Sequence, residues 1–182
     1  MFGLEHTLAR VPPAAWDRPS PCDGWTVRDV AGHAMAVTHN IAARASGGEV
    51  IDAFTDVGKI AGDDPVASFR THRASFLEAT DRRGALQTPV VSRLGDMTID
   101  SYMAFMRSDT FVHTWDIACG AAIDPHFDPR IVSLILADFL GRDMTPLRVP
   151  ERYDDERSVA DGADELARLI AFTGRDPEWS AT

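Results

Sequence analysis

A chain of 182 residues with 45% hydrophobic and 25% charged residues has ordinary globular composition. At this length folding buries about 70% of the unfolded surface, so a core needs no disulfide or metal staple. Eighteen basic residues against 28 acidic ones give a net charge of −10, which argues against nucleic acid or an anionic membrane surface as a partner.

The basic residues are all arginine except Lys59. The amino end, Met1-Phe-Gly-Leu-Glu-His6, lacks the charged and apolar regions of a signal peptide, and no stretch approaches the roughly 18 apolar residues of a membrane span. A cytoplasmic protein is expected, with Cys22 and Cys119 as reduced thiols.

Taken in order, Pro12-Pro13 and the run Pro19-Ser-Pro-Cys-Asp-Gly24 break the chain early. Thr26-Val-Arg-Asp29 reads as a capping box and predicts a helix over 27–46, ended by Gly47-Gly48, with Val30, Ala34, Val37 and Ile41 on its apolar face. Asp64-Pro65 opens a second helix over 65–82. Residues 85–98 read as a short hairpin with a turn near Gly95. A long helix follows over 99–119, stopped by Gly120. Asp128-Pro129 starts another, to about 141, and a last helix over 162–173 ends at Gly174. Residues 143–160 are polar and read as an ordered loop. The expectation is all-α: a four-helix bundle with short extra helices and one small β-hairpin. One unit over 1–182 is expected, with its core at about 10–142 and a C-terminal extension over 143–178.

The 99–119 helix carries an anomaly. Its apolar stripe runs through Tyr102, Phe105, Met106, Val112 and Ile117, yet Asp109 and His113, four residues apart, lie on that stripe. An unpaired buried carboxylate costs several kcal/mol, so something must compensate it. His33, between Val30 and Val37, also points along an apolar stripe. Two readings follow from spacing alone. The three side chains are hydrogen-bonded core residues, or they are a metal triad of the kind bundles build from facing helices. Two histidines and a carboxylate suit zinc, nickel, iron(II) or manganese, and three protein ligands leave a position open.

The same residues carry a resemblance. Trp16…Pro19-Ser-Pro-Cys-Asp-Gly-Trp25-Thr-Val-Arg-Asp-Val-Ala-Gly-His33 resembles the start of the mycothiol-dependent maleylpyruvate isomerase metal-binding domain, a DinB/YfiT-like four-helix bundle. Asp109-Thr-Phe-Val-His113-Thr-Trp-Asp-Ile-Ala118 is similar to that family's acid-x-x-x-His-x-Trp-Asp block, and Ala171-Phe-Thr-Gly-Arg-Asp-Pro177 to the end of its small actinobacterial members. The likeness covers about 10–178. It implies His33, Asp109 and His113 as ligands of a divalent metal, zinc first and nickel second, with mycothiol or a similar thiol as cofactor. Asp109 stands where the family carries Glu, and a chain of this length is not expected to hold the isomerases' second, C-terminal domain.

Around the triad, Asn40, Tyr102 and Met106 are expected to line a cofactor pocket. Asp116, three residues after His113, reads as an acceptor behind that histidine, a partner across the bundle or a proton carrier, and equally as a solvated or helix-capping acid. Arg44 and Arg107 are candidates for an anionic group of the thiol. Cys22 is a structural thiol or a mixed-disulfide partner, and Cys119 lies off the ligand face. Trp25 and Trp115 read as packing residues, and His6, His39, His72 and His126 as surface residues. The expected function is a metal- and thiol-dependent transferase or isomerase acting on a small electrophile. The alternative is a non-catalytic metal-binding or stress-associated protein. Pairing of two copies through a helix face stays open.

Overall fold

The computed structural model describes residues 2–92, 95–149 and 152–181. The described elements are α1 (Phe2–Leu8), α2 (Val27–Ser46), α3 (Gly58–Ala61), α4 (Pro65–Thr80), β1 (Pro89–Ser92), β2 (Gly95–Thr98), α5 (Ile99–Ala121), α6 (Pro129–Leu140) and α7 (Glu165–Phe172). The expected class, all-α with one small hairpin, is what forms.

Local chemistry explains the boundaries. The Thr26 hydroxyl accepts from Asp29 N–H at 3.2 Å while the Asp29 carboxylate accepts from Thr26 N–H at 2.9 Å, so the capping box closes in both directions. Gly47, at φ 73°, ends α2. Asp64, Asp128 and Asp164 cap α4, α6 and α7 through their carboxylates. Gly120 does not stop α5, which runs on to Ala121. The hairpin pairs antiparallel from Pro89 with Thr98 to Ser92 with Gly95, and its expected turn falls on residues 93–94, outside the described ones.

The ring of helices is closed by a segment that carries no helix signal in the sequence. The helix α2 packs on α4 and α5, and α1 packs on the same two from the far side. The fourth corner is therefore the seven-residue α1, whereas α6 packs outside the ring on α5 and α7. Nothing in Met1–His6 signals a helix, and seven residues are too few to be helical alone. Burial of Leu4 and Leu8 against the α2–α5 core makes α1 stable, and Glu5 pairs with Arg70 of α4 at 2.9 Å.

A second core joins α5, α6 and α7 through Val112, Trp115, Ile135, Phe139, Leu169 and Ile170. Buried Leu147 and Tyr153 anchor the loop before α7 to this core. Residues around Arg157 then run beside the end of α7: Arg157 N–H donates to Ala171 O at 3.0 Å, and its Nε to Gly174 O at 2.7 Å. Gly174 makes this approach possible. Its φ is 86°, and a Cβ there would meet Asp154 Cβ at 2.5 Å. Among the described residues, no helix is long and apolar enough to cross a membrane.

Candidate metal centre

The helices α2 and α5 pack side by side and bring His33, Asp109 and His113 together. His33 Nε2 lies 3.8 Å from Asp109 Oδ2, and His113 Nε2 lies 3.7 Å from Asp109 Oδ1. The two imidazole rings meet edge to face with centroids 4.7 Å apart. One donor atom from each residue lies within 4.8 Å of the others. These spacings are too long for hydrogen bonds, so the three polar groups converge on a point without satisfying one another.

The far side of each ring explains why the near side is available. His33 Nδ1 is 2.5 Å from the carbonyl oxygen of Ala53. A carbonyl only accepts, so the proton resides on Nδ1 and Nε2 presents a lone pair. His113 Nδ1 donates in the same way to Asp116 Oδ2 at 2.9 Å. Imidazoles that ligate metals are held by just such outer acceptors. The donor set, its tautomers and its charge therefore fit a divalent cation.

Asp116 is fully buried, and both of its oxygens are taken. Arg175 Nε donates to Oδ1 at 2.6 Å and Nη2 to Oδ2 at 2.9 Å. Burial pushes the Asp116 pKa up, but Arg175 and His113 outweigh burial and hold it at about 2. A carboxylate so occupied orients His113 and is a poor proton carrier. Burial also pushes Asp109 up, and the two imidazoles hold it well below the usual carboxylate range. For His33, burial pulls the pKa down, and Asp109 more than reverses this.

Cys22 reaches the same cluster from the loop before α2. Its Sγ is 3.3 Å from Asp116 Oδ2 and 3.6 Å from Arg175 Nη2. Burial, then the Asp116 charge, pushes this thiol far up, so Cys22 stays protonated and donates to Asp116. Cys22, His113 and Asp116 also satisfy the spacing of a second ion site. The Arg175 guanidinium already supplies the cation there.

The triad forms the floor of a cavity of about 860 Å³. Tyr102 and Met106 line it. Asn40 lines it too, but its amide is engaged elsewhere: Nδ2 donates to Ile51 O at 2.9 Å and Oδ1 accepts from Ile51 N–H at 2.7 Å. Asn40 thereby bolts the loop that delivers the Ala53 carbonyl. Arg44 faces the cavity over the Tyr102 ring at 5.4 Å; Arg107 does not line it. Trp25 stands 5.2 Å from the His33 ring and lines the cavity, while Trp115 packs in the second core. Cys119 lies off the site, its thiol pushed up to about 12 by burial. His6 and His126 are exposed. His39 and His72 instead are half-buried against each other at 5.8 Å. Sequence reasoning missed the Ala53 carbonyl, Tyr153 and the role of Arg175, although Arg175 lies inside the quoted Ala171–Pro177 stretch.

A helical bundle with two imidazoles and a carboxylate converging beneath an open cavity points to a metal-binding class of protein. The family model of the mycothiol maleylpyruvate isomerase N-terminal domain matches residues 3–118, and the chain belongs to that family, a mycothiol-related, DinB-like domain of metal-binding type. No curated protein and no solved structure matches the chain. The matched span runs from within α1 into α5 and includes all three converging donors. It ends before Tyr153 and Arg175.

Proposed function

We propose that the chain is a divalent-metal-dependent transferase or isomerase that uses a low-molecular-weight thiol of the mycothiol type against a small electrophile. The carrying observation is the convergence of His33 Nε2, Asp109 and His113 Nε2 on the floor of a cavity large enough for a thiol and a second small molecule. His33, Asp109 and His113 would hold the cation, with zinc ahead of nickel. When bound, the cation supplies Lewis-acid stabilisation of a thiolate at neutral pH.

The chain's own residues prepare the site. The Ala53 carbonyl and Asp116 keep the Nδ1 protons in place, so both Nε2 atoms stay available. Arg175 keeps Asp116 ionised. Cys22 stays a thiol and does not compete as a nucleophile. Trp25, Phe54 and Tyr102 contribute apolar surface to the cavity wall, against which the carbon parts of a small electrophile can pack. Arg44 and Arg152 face the cavity with no carboxylate partner among the described residues, and they can bind an anionic group. The described residues act as one unit in this reading, with the segment after α6 closing on a bundle that includes α1.

The test is turnover by purified, zinc-loaded protein given mycothiol and a panel of small unsaturated and epoxide electrophiles. The expected result is consumption of electrophile that requires thiol and stops on chelation. Zinc-loaded protein that turns over nothing with any thiol would leave the non-catalytic metal-binding role.

A further inference from the structure

Tyr153 belongs to the loop before α7, outside the matched span. Its ring is buried and stands edge-on to Phe139 at 5.7 Å. Its hydroxyl donates to Asp109 Oδ1 at 3.3 Å. Both histidine nitrogens lie farther from that carboxylate, at 3.7 and 3.8 Å. Among the described residues, the hydrogen bond that fixes the rotation of the Asp109 carboxylate is thus the one from Tyr153.

This bond has a purpose in a short side chain. Aspartate has one methylene between Cα and its carboxylate, so small rotations decide whether an oxygen faces His33 and His113. An unanchored carboxylate would also lose rotational freedom on binding a cation, and that loss weakens affinity. Acceptors and donors behind a metal ligand are worth about 10–100-fold in affinity.

We infer that Tyr153 is a positioning residue for Asp109: its hydroxyl holds the carboxylate turned toward the two imidazoles, so the cation affinity of the centre depends on a residue of the C-terminal segment. This rests on the reading that His33, Asp109 and His113 hold a divalent cation. Tyr153→Phe removes the hydroxyl and keeps the ring in its place against Phe139.

The experiment is zinc affinity of the full chain by competition with a chromophoric chelator, beside the visible spectrum of the cobalt-loaded protein. Tyr153→Phe is expected to weaken zinc by about 10-fold or more, to shift the cobalt bands, and to leave the metal-free protein folded, with the modest drop in melting temperature that the loss of one hydrogen bond brings. In an Asp109→Glu background the longer side chain moves the carboxylate away from the hydroxyl. There Tyr153→Phe is expected to change affinity by less than about 3-fold. Wild-type binding with Tyr153→Phe within about 2-fold of it would overturn the role of Tyr153 alone. Equal losses in both backgrounds would assign it a general structural role and overturn the inference. A wild type that binds no zinc would overturn the metal reading together with it.

Discussion

The donors and the groups that steer them come from different parts of the chain. His33, Asp109 and His113 stand on α2 and α5, two neighbouring helices of the ring, inside the family-matched span. Tyr153 and Arg175 arrive from irregular segments on either side of the eight-residue α7, beyond that span. Each nevertheless bonds directly to a carboxylate of the site, Tyr153 to Asp109 and Arg175 to Asp116. The helices supply rigid positions at a fixed period. The C-terminal segment supplies the guanidinium that keeps buried Asp116 ionised and the hydroxyl that reaches Asp109.

That difference can be broken at Arg175, where the largest effect is expected. Arg175→Met leaves Asp116, which has no exposed surface, without its guanidinium. Breaking a buried ion pair from one side costs about 3–5 kcal/mol. Thermal or urea unfolding should show a loss in that range, and a loss below about 1 kcal/mol, the scale of an exposed pair, would mean that the segment does not support the helices.

Acid sharpens the same point. The folded pKa of Asp116, at about 2, lies below its ordinary value of 3.8. A depressed carboxylate contributes stability that is present above the unfolded pKa and is lost as pH falls through the folded one. The loss should therefore fall between about pH 4 and pH 2 and amount to about 2 kcal/mol. Unfolding free energies measured across that window should decline in the wild type. In Arg175→Met the part of the decline due to this pair should shrink.

A smaller effect is expected at Asn40, on the helical side of the comparison. Asn40→Ala strands Ile51 N–H and C=O and frees the loop carrying Ala53, at a cost of about 1–3 kcal/mol. Denaturant unfolding checks the stability. Nδ1 of His33 should lose protection in nitrogen-detected NMR, and an unchanged His33 signal would contradict the role given to the loop.

How much of this the sequence discloses follows from the same division. A carboxylate and two histidines on apolar stripes are visible because helical period places them there. The Thr26–Asp29 box and the Asp-Pro starts locate α2, α4 and α6 to within two residues because caps are local chemistry. The helix α1 escaped because its stability comes from burying Leu4 and Leu8, a tertiary effect with no local signal. Tyr153 escaped for the same reason: it sits beside Asp154, Asp155 and Glu156, a solvated run, and only the packing of its ring on Phe139 brings the hydroxyl to Asp109. The Ala53 carbonyl has no sequence signature, since every residue carries one.

Metal content tests the central claim most directly. Tag-free protein should carry about one divalent metal per chain by mass spectrometry, the occupancy of a three-ligand site. A His33→Ala, His113→Ala variant that remains folded should carry none. No metal in either protein, with the melting temperature of the wild type unmoved by added zinc or nickel, would contradict the account and leave the two histidines as hydrogen-bonded core residues.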